Sequence, residues 1–326
     1  MEFPVSTTRP RWERDAGQVT TSVRPNLGEQ RDLIRQSVTN IISVLRTFSL
    51  MTMKIDDLLR FNIEITEFDP LNPLDHTIFQ PMPVSEFSKY ELEQELFHGL
   101  MTDNVKLTDL ELPDPASNSA SRLDIERAAM RESQRLYRYI DLLYTCHSQI
   151  EEPNDPISMA VGWISIPVPL PQYTWPRELG PNSWPRDHGM LSHDLGPEHV
   201  GWKCEMVSEW KDRSGRTTKV WPHVRMAVCH GHSGDPHGIL IGELGAIAQV
   251  ILNRLNQPQF DNESYFPVLM LSFFGPRHMR FLQAVYRPAG YLELRASQIF
   301  DFTTLAVSRL DLMLEYLACS PRRDHH

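Results

Sequence analysis

Between Cys229 and His237 the chain places one thiol, three imidazoles and a carboxylate in nine residues, "CHGHSGDPH". Thiolate sulfur and imidazole nitrogen are the donors a tetrahedral zinc site takes, so Cys229, His230, His232 and His237 form one candidate metal set. Their spacing works against it. If Cys229 and His230 belong to a strand, adjacent side chains point to opposite faces, and only a bend at Gly231 or Gly234 would turn both to one ion. The alternative is a polar strand-to-helix loop capped by Asp235.

A second set lies on "WKCEMVSEWKD". In an unbroken strand Lys203, Glu205, Val207, Glu209 and Lys211 share one face, while Trp202, Cys204, Met206, Ser208 and Trp210 share the other. Two carboxylates beside ammonium groups suit metal-dependent phosphodiester hydrolysis: Glu205 and Glu209 hold Mg²⁺, and Lys211 stabilises the attacking hydroxide or the phosphate charge. The same alternation describes a salt-bridged strand face in water. Glu243 is a third candidate, a lone carboxylate in the apolar run "GILIGELGAIAQVIL". A buried, unpaired carboxylate is too costly to keep, so Glu243 either assists a site or pairs with a strand arginine such as Arg225 or Arg280. "GHSGD" lacks the frame of a nucleophile elbow because Gly234 follows Ser233 directly, and no phosphate-loop or dinucleotide fingerprint occurs.

The elements that would position these groups follow from periodicity. "LIRQSVTNIISVLRTFSLM" sets Leu33, Ile34, Val38, Ile41, Ile42, Leu45 and Phe48 at helical steps. A capped helix is expected from Ser85 through Leu100. A Pro- and Ser-rich linker then leads into the clearest helix, whose apolar face runs Leu123, Ile125, Ala129, Met130, Leu136, Ile140, Leu143 and which Pro153 stops. "ISMAVGWISIPVPL" reads as a strand, followed by a long loop bearing Trp175 and Trp184. A hairpin turning at Asp212 to Arg216 comes next, then an apolar helix from Pro236 to about Asn256 with Asp235 as its cap. Strands "FPVLMLSFFG", "HMRFLQAVYR" and "YLELRASQIF" follow, the last two joined at Pro288-Ala289-Gly290, and "TTLAVSRLDLMLEYLAC" forms a final helix. The expected class is α+β, with N-terminal helices followed by a mixed sheet flanked by helices. The boundaries read as a disordered arm 1–28, a helical region 29–115, an α+β core 116–320 and a tail 321–326.

At 326 residues and 41 % apolar content the chain can bury a sizeable core. Its formal charge of -10 repels phosphate backbones, which disfavours nucleic acid unless a local basic groove or a bound divalent cation overcomes the global sign, and a protein partner is the other expectation. The four cysteines are scattered singly, in the manner of reduced thiols. With no run of eighteen apolar residues and no secretory-type start, the expected location is cytoplasm or nucleus, with no membrane partner.

Two resemblances rest on these residues. The block "PHGILIGELGAIAQVILNRLNQ … FPVLMLSFFGPRHMRFLQAVYRPAGYLELRASQIFDF" resembles a segment of uncharacterised proteins of filamentous fungi and implies no activity. The order helix, three-stranded meander, helix, strand over Leu123 to Phe274 resembles the PD-(D/E)XK nuclease-like superfamily. That resemblance implies a Mg²⁺ site, with its Glu-x-Lys element falling on Glu209, Trp210 and Lys211 and its preceding acid on Glu205. The family carries this element on the third strand of the meander; here it lies on the second, and the third, "VWPHVRMAV", has no acid. The resemblance therefore implies either a nuclease or a degenerate, non-catalytic relative.

Overall fold

The computed structural model describes residues 26–47, 51–75, 78–107, 121–150, 155–166, 190–193, 201–212 and 219–322. Two long helices begin with reciprocal caps. Asn26 accepts from the Glu29 amide while Glu29 accepts from the Asn26 amide, opening α1 (Leu27–Leu45). Ser121 and Asp124 repeat the arrangement at the start of α2 (Arg122–Cys146). Two further helices are α3 (Ile241–Leu255) and α4 (Val307–Leu317).

The principal strands are β1 (Ile63–Glu67), β2 (Trp163–Ile166), β3 (Trp202–Asp212), β4 (Lys219–His230), β5 (Val268–Phe274), β6 (His278–Arg287) and β7 (Tyr291–Ala296). They form one mixed sheet in the order β1-β7-β6-β5-β4-β3-β2, and the short strands Ser192–His193 and Phe300–Asp301 pair with β3 and β6. Neighbours run antiparallel except β4 with β5 and β7 with β1. Parallel strands need a crossover, and α3 supplies it between β4 and β5.

Helices cover both faces of the sheet. On one side α3 lies against it under α1, with Val224, Met226, Met270 and Leu282 facing that core. Every residue of α3 except Leu252 is buried, which accounts for its nearly all-round apolar sequence. On the other side α2 and α4 cover Ala227, Leu269, Leu271, Phe273 and Phe281. The class is α+β, as expected, and the three C-terminal strands and their turn at Gly290, which has φ +90°, also stand as read from the sequence.

Long-range pairing displaced other boundaries. The helix expected from Pro236 starts at Ile241, because Gly238–Leu240 instead pairs antiparallel with Thr52–Lys54. Asp235 is not its cap; its carboxylate accepts from the His237 amide at 2.8 Å. The helix expected over Ser85 to Leu100 is split into Val84–Phe87 and Gln94–Leu100 by Tyr90–Leu92, which pairs with His147–Gln149. The same pairing ends α2 at Cys146, ahead of Pro153. Of "ISMAVGWISIPVPL", Ile157–Ala160 is a helical turn, Trp163–Ile166 is strand, and 167–170 lie outside the described residues. No helix among the described residues is long and apolar enough to cross a membrane.

The turn from β5 to β6 presses directly on α2. A Cβ added at Gly275 would sit 2.6 Å from the Ala129 Cα, a backbone atom that cannot step aside alone. Gly275→Ala is therefore expected to destabilise the chain by about 1–3 kcal/mol, the usual cost of overpacking. Thermal melts check this; an unchanged midpoint would mean that α2 can retreat at no cost.

Candidate functional site

The predicted acidic face of β3 is broken by its own backbone. Cys204 stands opposite Val228, but Met206 stands opposite Ala227, so Glu205 is an extra residue in a β-bulge. A one-residue insertion reverses which side chains face which layer. Trp202 and Cys204 face α3, yet beyond the bulge it is Val207 that faces α3, while Met206 and Trp210 face α2. Glu205 accordingly accepts from Gln134 of α2 at 2.7 Å and pairs with Lys203 at 3.0 Å. Glu209 turns the other way, meeting Arg254 of α3 at 3.1 Å and Lys211 at 3.3 Å. The single face expected for Glu205, Glu209 and Lys211 does not exist: the two carboxylates lie on opposite sides of the sheet, each matched to its own cation.

Glu243 is engaged a third way. It is fully buried in the first turn of α3, where it accepts from the Leu240 amide at 2.8 Å and from both Nε and Nη2 of Arg280 on β6. Burial pushes its carboxyl up, and the charge and hydrogen bonds of Arg280 more than offset this, leaving it below the ordinary carboxylate range. Arg280 also donates to the Asp235 and Gly238 carbonyls, so one guanidinium fixes both the helix start and the loop before it. Of the two arginines available by sequence, Arg280 is the partner; Arg225 points to the opposite face.

The Cys/His set disperses in the same manner. Cys229 faces α2, where burial pushes its thiol well up and keeps it neutral. His230 faces α3, beside Gly242 and Trp202. His232 Nδ1 lies 3.7 Å from Glu126 of α2, and His237 is exposed. The glycines do not bring the four together, and among the described residues no three His, Cys, Asp or Glu side chains are arranged to hold a metal ion.

What sequence reasoning missed is a polar row across the sheet on the α2 and α4 side. Ser208 of β3 stands opposite Arg225 of β4, Arg225 opposite Leu269 of β5, Leu269 opposite Gln283 of β6, and Gln283 opposite Arg295 of β7. Arg295 bonds the Asp75 carbonyl and carboxylate at 2.8 and 3.2 Å. Ser208, Arg225 and Gln283 are buried and carry side-chain atoms without a hydrogen-bond partner. The Arg225 guanidinium lies 5.5 Å from the Tyr144 ring centre and 5.1 Å from that of Trp163. Burial pushes the Tyr144 phenol up against the opposing Arg225 charge, so it remains a neutral hydroxyl. The available signal was parity: Arg225 is flanked by Val224 and Met226 in the apolar run Val224–Cys229. Comparison with family models, with curated proteins and with solved structures found nothing similar to this chain.

His230 makes the fold acid-sensitive. Burial, with the Arg280 charge and His232 assisting and Glu243 opposing, holds its imidazole down to about 4, against an ordinary 6.5. As pH falls, the unfolded chain takes up this proton near 6.5 and the folded chain only near 4. The stability contributed by neutral His230 is thus full above that window and lost across it, by roughly 3 kcal/mol. His230→Gln should flatten the decline in denaturation midpoint over this range relative to wild type; parallel curves would show that His230 is not the titrating group.

Proposed function

We propose that the chain is a non-catalytic protein-interaction module rather than a Mg²⁺-dependent nuclease. The observation that carries this reading is the bulge at Glu205, which sends Glu205 and Glu209 to opposite sides of the sheet and leaves each on a cation of the chain's own. Two-carboxylate metal chemistry needs both acids on one ion. Descent from a PD-(D/E)XK-like ancestor is supported by the order α2, β2, β3, β4, α3, β5, while the Glu-x-Lys element stands on the second strand of the meander and not on the family's third. In that descent the acids have become structural.

A surface for a partner lies at the β3 end of the sheet. Met82, Pro83, Tyr90, Val161, Gly162 and Trp210 line an open groove of about 420 Å³. Val84 and Met159, adjacent in sequence to its lining, are 69 % and 62 % exposed. Large apolar side chains left in water around a groove that also carries Glu86, Lys211 and Asp212 fit a surface that a second protein covers. The loop bearing Trp175 and Trp184 lies outside the described residues.

Thermal unfolding with and without millimolar Mg²⁺ or Mn²⁺ separates the two readings. Wild type should melt at the same temperature in both. Glu209→Gln should melt lower by the same amount with or without metal, since it strips the carboxylate from buried Arg254, a loss of about 3–5 kcal/mol. A metal-dependent rise in wild type that Glu209→Gln abolishes would restore the nuclease. For the interaction itself, Val84→Asp combined with Met159→Asp should keep the melting point and lose a partner that wild type retains; equal retention would remove this groove from the interface.

A further inference from the structure

We propose that Arg225 is the receptor for a chloride-sized anion enclosed between the sheet and α2. The residue is 3 % exposed, and neither its Nε nor its Nη1 has a hydrogen-bond partner. Its Nη2 reaches the Met206 sulfur, at 3.9 Å. The faces of Tyr144 and Trp163 offset part of the cost of enclosing the charge, but an aromatic face contributes far less than a counter-ion. Buried charges in folded proteins are paired, and this one has no partner in hydrogen-bonding reach of those two atoms.

The chemistry of the neighbouring orphan atoms defines the missing group. Ser208 stands directly opposite Arg225 on the adjacent strand, and its hydroxyl has no partner. The Tyr144 hydroxyl, from α2, has no partner beyond the Arg225 guanidinium itself, which leaves its own proton to donate. Together with the two guanidinium positions, every one of these atoms is able to donate, so what satisfies them must chiefly accept. A water molecule has two hydrogens of its own to place and meets a cation that needs neutralising; a monovalent anion accepts from all of them and neutralises it. A phosphate-like dianion fits poorly, because stripping its hydration in a dry, aromatic-lined layer costs far more than one guanidinium returns. Asp141 of α2, half-buried, is a carboxyl whose charge acts on Arg225, but among the described residues no ion pair or hydrogen bond joins the two. Gln283, two strands away, is left out of the site.

The full chain should be melted in sodium chloride and in sodium gluconate at equal ionic strength. Binding to the folded state alone raises the midpoint in chloride, by about 4 °C at a hundred times the dissociation constant. Arg225→Met, which keeps the length and removes the charge, should lose that response. Crystals of wild type grown in bromide should show an anomalous peak within hydrogen-bonding distance of Arg225 Nε or Nη1, and this arm decides the matter if the variant does not fold. Equal midpoints in both salts, a bromide peak absent from Arg225, or a chloride response retained by Arg225→Met would each overturn the proposal.

Discussion

A helix buried on all sides cannot carry a lone charge, and α3 carries two. Glu243 in its first turn is held by Arg280 of β6, and Arg254 in its last turn by Glu209 of β3. Between them lie only apolar residues and the hydrogen-bonded pair Gln249 and Asn253. Apolar packing alone would tolerate small slides of α3 along the sheet, since dispersion and burial are non-directional. Two ion pairs of opposite sense at opposite ends do not tolerate them, because a slide or a reversal separates both. The position of α3 sets in turn the crossover between β4 and β5, the strand that joins the two halves of the sheet, and the surface on which α1 lies.

The same pairs explain why a chain with acids and a lysine in a suggestive order yields no converged acidic site. The strand faces are legible only while alternation is unbroken, and one unpaired residue at position 205 resets it. Nothing in "WKCEMVSEWKD" marks that residue, because a bulge is decided by how the partner strand is paired, and neither composition nor hydropathy records it. The dispersal of Cys229 and His230, by contrast, was legible, since adjacent residues in a strand must diverge. The choice between Arg225 and Arg280 as the partner of Glu243 turned on which face of the sheet α3 covers, which only the assembled fold decides.

Local pattern carried the fold where the signal was local. The period of α1 and α2, the hairpin of β3 with β4, and the run β5, β6, β7 with its glycine turn stand as read, because each is specified by residues close in sequence. The failures share one cause. Thr52–Lys54 captures Gly238–Leu240 and so delays the start of α3, while Tyr90–Leu92 and His147–Gln149 capture each other and so break one helix and end another. Each is a strand of three residues, too short to announce itself by periodicity and formed only because a distant partner exists.

Those stitches also have a temporal meaning. β1 completes the sheet by lying beside β7, and Phe79–Gln80 pairs with Ser320–Pro321 almost at the far end of the chain. The segment holding β1 and Phe79–Gln80 therefore has no template on the ribosome until strands far downstream of it have been synthesised. Ile63 and Phe79 must wait uncovered for that interval, so these strands fold well after they are made. Its yield in a cell then depends on what shelters those nascent strands as much as on the stability of the finished sheet.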